Sequence, residues 1–113
     1  MEIKNKRVVI TGAASGIGYA LCEEFHANGA KSIVCVDMNE DGANEIAEKI
    51  NGIAIAADVS NEQDIINVID KANDYSGGID IFCSNAGIGG TPMLLDTTSE
   101  EWNNTWGVNV MSH

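Results

Sequence analysis

The stretch RVVITGAASGIG, residues 7–18, decides the fold of this chain. Its first four residues, 7–10, form a short β-branched run that favours a strand, and glycine-rich residues follow at once. From Ile17 to Phe25, apolar residues recur at the spacing of one helix face. The stretch therefore predicts a strand, a tight turn and a helix in this order.

The glycine turn, residues 11–18, has the chemistry of a phosphate site. Glycine has no Cβ, so the backbone at Gly12 and Gly16 can turn sharply and approach a pyrophosphate closely. The helix that begins at the end of the turn offers unpaired N–H groups and the positive end of its dipole. Ser15 adds a hydroxyl donor. The alternative is a tight strand-to-helix connection that binds no ligand.

Three more strands and three more helices are predicted after this unit. Apolar runs at 32–36, 53–57 and 79–84 favour strands, and helical spacing within 43–50 and 65–72 favours helices. Strands that alternate with helices predict an α/β domain with a parallel sheet. In such sheets, ligands bind at the carboxyl ends of the strands. Ser60 and Gln63 fit a capping box before the helix at 65–72. Thr98 and Glu101 fit another, which opens a last helix through Trp102 and Trp106.

Composition excludes several classes of partner. The 113 residues carry 6 Lys and Arg against 17 Asp and Glu, a formal net charge of −11, so neither a nucleic acid nor an anionic membrane surface is expected. No run approaches the roughly 18–20 apolar residues of a membrane span. Residues 1–7 lack the pattern of a signal peptide, so we expect a cytoplasmic protein. The wide spacing of Cys22, Cys35 and Cys83 favours reduced thiols over a zinc site.

The glycine spacing G-x-x-x-G-x-G differs from the G-x-G-x-x-G of ordinary dinucleotide folds and from a P-loop. Together with Asp58-Val59, Asn85-Ala86-Gly87 and Val108-Asn109, it resembles the motifs of the short-chain dehydrogenases/reductases, in their standard single-domain form. The resemblance implies a Rossmann-type, doubly wound parallel sheet of strand order 3-2-1-4. It also implies that residues 1–113 are one NAD-binding domain, incomplete at its C-terminus.

Asp37 points to the kind of dinucleotide. It follows the second predicted strand, where a carboxylate accepts both ribose hydroxyls of an adenosine and repels the 2′-phosphate of NADP. Met38, Asn39 and Ser15 stand where NADP-preferring relatives usually carry Arg or Lys. NAD(H) is therefore the predicted cofactor. A solvated acid or a helix cap is the alternative role of Asp37.

The resemblance implies further contacts with the cofactor. Asp58 would bind the adenine amino group, and the segment 85–87 would line the adenosine ribose, although Ser84 stands where the family usually has Asn. Ile17 would pack near the nicotinamide, whereas Asp80 would tie neighbouring segments by hydrogen bonds. The full set expected at the cofactor is Gly12, Ser15, Gly16, Ile17, Gly18, Asp37, Asp58, Val59, Asn85, Ala86 and Gly87.

The catalytic residues are represented by Asn109 alone. In the family a Tyr moves the hydroxyl proton, a Lys four residues later lowers its pKa, a Ser polarises the carbonyl, and an Asn holds a water. Asn109 matches that Asn, unless it is a polar residue satisfied at a helix bend. Tyr19 and Tyr75 do not form Tyr-x-x-x-Lys, because Glu23 and Ile79 follow them at that distance.

These observations predict the N-terminal half of an NAD-dependent oxidoreductase that acts on an alcohol or a ketone. We expect this half to be inactive alone and the full-length form to be a homo-oligomer. A non-catalytic dinucleotide-binding or pairing module is the alternative, and an unrelated chemistry such as methyl transfer is disfavoured by the glycine spacing. The sequence does not identify the substrate.

Overall fold

Four strands and three helices alternate along residues 2–86, the part of the chain that the computed structural model describes. The elements are β1 (Arg7–Thr11), α1 (Gly16–Ala27), β2 (Ser32–Asp37), α2 (Glu40–Ile50), β3 (Ile53–Ala56), α3 (Glu62–Ser76) and β4 (Ile81–Cys83). All strand pairs are parallel, and the order across the sheet is β3-β2-β1-β4. The predicted α/β class and the predicted strand order are both confirmed, whereas the helix predicted to open at Thr98 lies outside the described residues.

The sheet is covered on both faces, which explains why its strands are almost continuously apolar. Because side chains alternate across a strand, Val8 and Ile10 pack with α1 and α2, whereas Val9 packs with Val68 of α3. The three central positions of β1 are each at most 1% exposed. Two apolar layers thus hold the sheet, and they leave its carboxyl edge free for a site.

The caps of the helices differ in one place from the sequence prediction. The helix α3 is capped by the side chain of Asn61, which accepts the N–H of Asp64 at 3.1 Å, so the predicted capping box at Ser60 and Gln63 is wrong. Ser60 instead donates to the carboxylate of Asp58. Asn and Ser are both good N-cap residues, so the sequence offers two adjacent candidates. The structure uses Asn61, one residue after Ser60.

The strand β4 is shorter than the predicted run 79–84, and an ion pair lies directly before its first residue. The backbone N–H and Nε of Arg7 both donate to Oδ2 of Asp80 at 2.9 Å, and Nη2 donates to Oδ1 at 3.0 Å. Hydrogen bonds from Arg7 hold the pKa of Asp80 well below its usual range. Asp80 therefore ties β4 to β1, as the sequence prediction had it.

The three cysteines are free thiols. Cys22 of α1 and Cys35 of β2 are buried, with their sulfur atoms 3.8 Å apart. The hydrogen bond with Cys35 and burial both raise the pKa of Cys22, so this thiol stays protonated and unreactive at neutral pH. Within residues 2–86, no group of three metal-ligating side chains comes together and no helix is long and apolar enough to cross a membrane.

Candidate functional site

A cleft of about 530 Å³ lies along the carboxyl edge of the sheet. The glycine turn after β1 and the residues that follow β2, β3 and β4 all contribute to it, which is the position expected for a ligand site in a doubly wound fold. Its walls are Gly12, Ser15, Gly16, Ile17, Asp37, Met38, Asn39, Ala57, Val59, Asn85 and Ala86.

The glycines of the turn are required by its backbone. Gly12 and Gly16 have φ values of 70° and 58°, in the left-handed region that favours glycine. A Cβ on Gly12 would also lie 2.9 Å from the Cα of Ala86, so the turn and the segment after β4 are too close for a side chain at this position. Gly18 does not line the cleft, and a Cβ there would collide with the carbonyl oxygen of Gly12.

The N-terminus of α1 is open to the cleft. Asn39 and Asn61 cap α2 and α3 with their side chains, but Ser15, the N-cap residue of α1, makes no side-chain cap. The first turn of α1 contains no acidic residue, and Ser15, Gly16 and Ile17 line the cleft. The first N–H groups of this helix therefore face a space in which a phosphate can accept from them.

Asp37, the last residue of β2, is the one charged residue among the described walls of the cleft. Its Oδ2 accepts the backbone N–H of Ala14 at 3.0 Å, and its Oδ1 accepts that of Asn39 at 2.9 Å. Each oxygen still has a second lone pair, which is available to a ligand hydroxyl. The carboxylate therefore combines a negative charge with two free acceptor positions at the edge of the cleft.

Another part of the cleft wall is made of apolar side chains. Ile17 is 73% exposed and Met38 is 62% exposed, although both are large hydrophobic residues. Ala57 and Val59, which follow β3, are buried and line the same cleft. Exposed apolar walls next to polar backbone groups suit a ligand that has flat rings as well as phosphates.

Asp58 lies between two residues of the cleft without lining the cleft itself. Its Oδ1 accepts from the backbone N–H of Ser60 at 3.0 Å and from the Ser60 hydroxyl at 2.6 Å. Its own N–H donates to Oδ2 of Asp64 at 2.8 Å. These bonds fix the connection between β3 and α3, and they leave Oδ2 of Asp58 with no hydrogen bond from residues 2–86.

Thr11 holds the floor of the cleft together, a role that the sequence analysis did not assign. It is 2% exposed, and its hydroxyl donates to the carbonyl of Cys83 at 3.3 Å. The same oxygen accepts the N–H groups of Asn85 at 3.0 Å and Ala86 at 3.1 Å, and Nδ2 of Asn85 donates to the Thr11 carbonyl at 3.3 Å. A Thr at the end of an otherwise apolar strand was the available signal.

The structure brings most of the predicted cofactor residues together. Gly12, Ser15, Gly16, Ile17, Asp37, Val59, Asn85 and Ala86 share the cleft. Gly18 and Asp58 lie next to it, whereas Gly87 and Asn109 lie outside the described residues. The sequence analysis missed Ala57, and it considered Met38 and Asn39 only as positions that lack a basic residue.

The comparisons with known proteins agree with this geometry. The short chain dehydrogenase family matches residues 6–113 of the chain. An uncharacterized oxidoreductase of Staphylococcus epidermidis is 37% identical over 96% of the chain and 48% of its own length. Tropinone reductase-like 1 of Erythroxylum coca is 44% identical over 77% of the chain and 32% of its own length.

Solved structures are similar in the same way. A 3-ketoacyl-(acyl-carrier-protein) reductase of Brucella melitensis, complexed with NADH, superposes with a TM-score of 0.93 at 36% identity, over 97% of this chain and 46% of that one. A short chain dehydrogenase of Burkholderia cenocepacia, in complex with NADP, has a TM-score of 0.91 at 30% identity, over 99% and 48%.

The chain belongs to the short chain dehydrogenase family. It spans about half or less of the length of the curated relatives it matches. Since one similar structure holds NADH and the other NADP, family membership does not by itself decide between these cofactors.

Proposed function

We propose that this chain binds NAD(H) in the cleft and forms the cofactor-binding part of an oxidoreductase for alcohols and carbonyl compounds. The observation that carries the proposal is the open N-terminus of α1 beside the carboxylate of Asp37. One feature suits a pyrophosphate and the other suits the hydroxyls of a ribose. When bound, the nicotinamide supplies a place for a hydride to be taken up or released.

In this proposal, different residues of the cleft contact different parts of the cofactor. The N–H groups of Gly16 and Ile17 bind the pyrophosphate, and Asp37 accepts the adenosine ribose hydroxyls. The adenine lies against Met38 and Val59, and its amino group donates to Asp58. The segment 85–87 lines the adenosine ribose, and Ile17 packs near the nicotinamide.

The preference for NAD(H) over NADP(H) follows from charge. A 2′-phosphate would place its negative charge against the carboxylate of Asp37, and no Lys or Arg belongs to the described walls of the cleft to offset the repulsion. Met38 and Asn39, which follow Asp37, are uncharged. The cleft therefore favours the dinucleotide with a free 2′-hydroxyl.

Calorimetric titration of the purified chain with NADH tests this function. We expect saturable binding by the wild-type chain and a loss of binding in Gly12→Val, whose side chain would fill the space between the glycine turn and Ala86. Lys71→Ala changes an exposed residue of α3 outside the cleft and serves as the control. A wild-type chain that takes up no NADH would contradict the proposal.

The step that moves the alcohol proton needs groups that these 113 residues do not contain, since no Tyr-x-x-x-Lys is present. Asn109 matches the family's Asn and would order a water in a complete active site. We therefore propose hydride transfer for a longer, cytoplasmic and homo-oligomeric protein, and NAD(H) binding without turnover for the chain alone. A non-catalytic dinucleotide-binding module is the second candidate, since the cleft at the carboxyl edge of the sheet is the part of a site that the described residues build.

An assay for alcohol-dependent reduction of NAD tests whether the chain alone binds the cofactor without turnover. The chain alone is expected to give no turnover while it binds NADH. Turnover by the purified chain would show that its own residues complete an active site, and the account of the missing proton carrier would then be wrong.

A further inference from the structure

We infer that Asp37 positions the glycine turn in addition to contacting the cofactor: its carboxylate holds the turn in its phosphate-binding shape before any ligand arrives. The inference rests on the proposed function for the identity of the ligand. It adds a role that recognition of a ribose does not require, since that recognition involves the carboxylate only once the cofactor is bound.

Two successive amides of the glycine turn are fixed to the end of β2. The N–H of Ala13 donates to the carbonyl of Val36 at 3.1 Å, which extends the pairing of the strands by one bond. The next N–H, that of Ala14, donates to Oδ2 of Asp37 at 3.0 Å. The side chain thus replaces the backbone acceptor at the point where the chain leaves the sheet, and this bond is charge-assisted.

The second oxygen of Asp37 also accepts a hydrogen bond from the backbone. Oδ1 accepts the N–H of Asn39 at 2.9 Å, which fixes the connection to α2. Two backbone donors therefore need two acceptor atoms on one short side chain. Only an ionised carboxylate supplies them, because an Asn side chain would place its NH₂ group against one of the two donors.

The start of α2 packs closely against the same turn. Asn39 caps α2 by accepting the N–H of Gly42 at 3.1 Å. A Cβ on Gly42 would lie 2.8 Å from the Cβ of Ala14, so only a glycine lets the two segments come this close. Asp37 therefore links the glycine turn with α2, and Ser15 makes no side-chain cap that would replace this link.

Amide hydrogen exchange of the purified chain without ligand, followed by NMR, tests this role directly. In Asp37→Ala, the amide of Ala14 loses its acceptor, and its exchange is expected to accelerate about tenfold. Asp41→Asn removes the same charge from the exposed first turn of α2 and should leave Ala14 unchanged. An Ala14 amide that exchanges equally slowly in Asp37→Ala and in the wild type would overturn the inference.

Asp37→Asn keeps the test available if Asp37→Ala does not fold, because the two side chains have the same size. One acceptor oxygen remains, so protection is expected at Ala14 or at Asn39 but not at both. Wild-type protection at both amides would overturn the inference as well.

Reduced nicotinamide mononucleotide gives a readout that a ribose contact alone does not move. This probe carries a phosphate for the glycine turn but no adenosine ribose for Asp37. We expect Asp37→Ala to weaken its binding roughly threefold or more, since the turn is no longer held in shape. If the wild type and Asp37→Ala bind this probe equally well, Asp37 contacts the ribose only, and the inference is overturned. If the wild type binds neither this probe nor NADH, the proposed function fails, whereas the exchange result at Ala14 stands by itself.

Discussion

Gly18 shows how the absence of one side-chain carbon permits α1 to pack on the glycine turn. The sequence analysis assigned Gly18 to the cofactor together with Gly12 and Gly16. The structure gives Gly18 a different neighbour, because its Cα faces the carbonyl group of Gly12 and the side-chain amide of Asn85. The residue therefore acts on the shape of the cleft rather than on its surface.

Gly18→Ala is expected to lower the free energy of unfolding by about 2 kcal/mol, because the added methyl group meets backbone atoms that cannot move aside cheaply. Chemical denaturation measures the change. Ala20→Ser adds one atom at an exposed position of the same helix and should change stability little. Equal effects of the two substitutions would mean that the packing at Gly18 is unimportant.

Thr11 was the residue of the site that sequence patterns did not identify. A pattern of apolar and polar residues marks Thr11 as the end of a strand, but not as the common partner of Cys83, Asn85 and Ala86. Such contacts join segments more than 70 residues apart, and no local rule predicts them. The bond between the Ala14 amide and Asp37 was not predicted either, because it joins two segments that become neighbours only when β1 and β2 pair.

Thr11→Val should cost about 1–3 kcal/mol of stability, since it removes the hydroxyl and leaves the partly buried N–H groups of Asn85 and Ala86 without this acceptor. Thr11→Ser keeps the hydroxyl and is expected to retain most of the stability. Thermal unfolding of both variants decides the matter. A Val variant as stable as the Ser variant would show that the hydroxyl bonds contribute nothing.

At the scale of the elements, the helices and strands were predicted from their periodicity, but their ends were predicted less well. The apolar spacing of Val68 and Ala72 placed α3 correctly on one face of the sheet. Its first residue was shifted, because Ser60 and Asn61 are both good caps and only the three-dimensional contact with Asp58 shows that Ser60 is already engaged.

Asn61→Ala is expected to destabilise the protein by about 1 kcal/mol through loss of the α3 cap, whereas Ser60→Ala should leave the helix end intact. Helix content and unfolding midpoints of the two variants provide the comparison. A larger loss in Ser60→Ala than in Asn61→Ala would restore the capping box that the sequence suggested.

At the scale of the whole molecule, the predicted order of strands proved correct because each unit has a strong and independent signal. Apolar strands, glycine-containing turns and amphipathic helices together leave few topologies open. The sequence analysis predicted that Asp80 ties neighbouring segments by hydrogen bonds, but it did not identify Arg7 as the partner. The geometry of this pair depends on contacts between the two ends of the described segment, which spacing alone does not reveal.

This ion pair makes the stability of the fold depend on pH. Because Arg7 depresses the pKa of Asp80 in the folded state, the pair stabilises the protein above the ordinary pKa of Asp, about 3.9, and this contribution disappears as the pH falls further. Asp80→Asn should therefore be less stable than the wild type at pH 7 and lose that disadvantage on acidification. Melting curves from pH 7 to pH 2 measure it, and a gap that widens in acid would contradict the assignment.

The measurement that tests the central claim most directly is a parallel titration of the wild-type chain with NADH and NADPH at the same ionic strength. The account predicts that NADH binds at least about tenfold more tightly, because the 2′-phosphate meets the Asp37 carboxylate and no Lys or Arg belongs to the described walls of the cleft to offset the repulsion. Equal or tighter binding of NADPH would contradict the account. It would show that the carboxylate at the end of β2 does not select the cofactor.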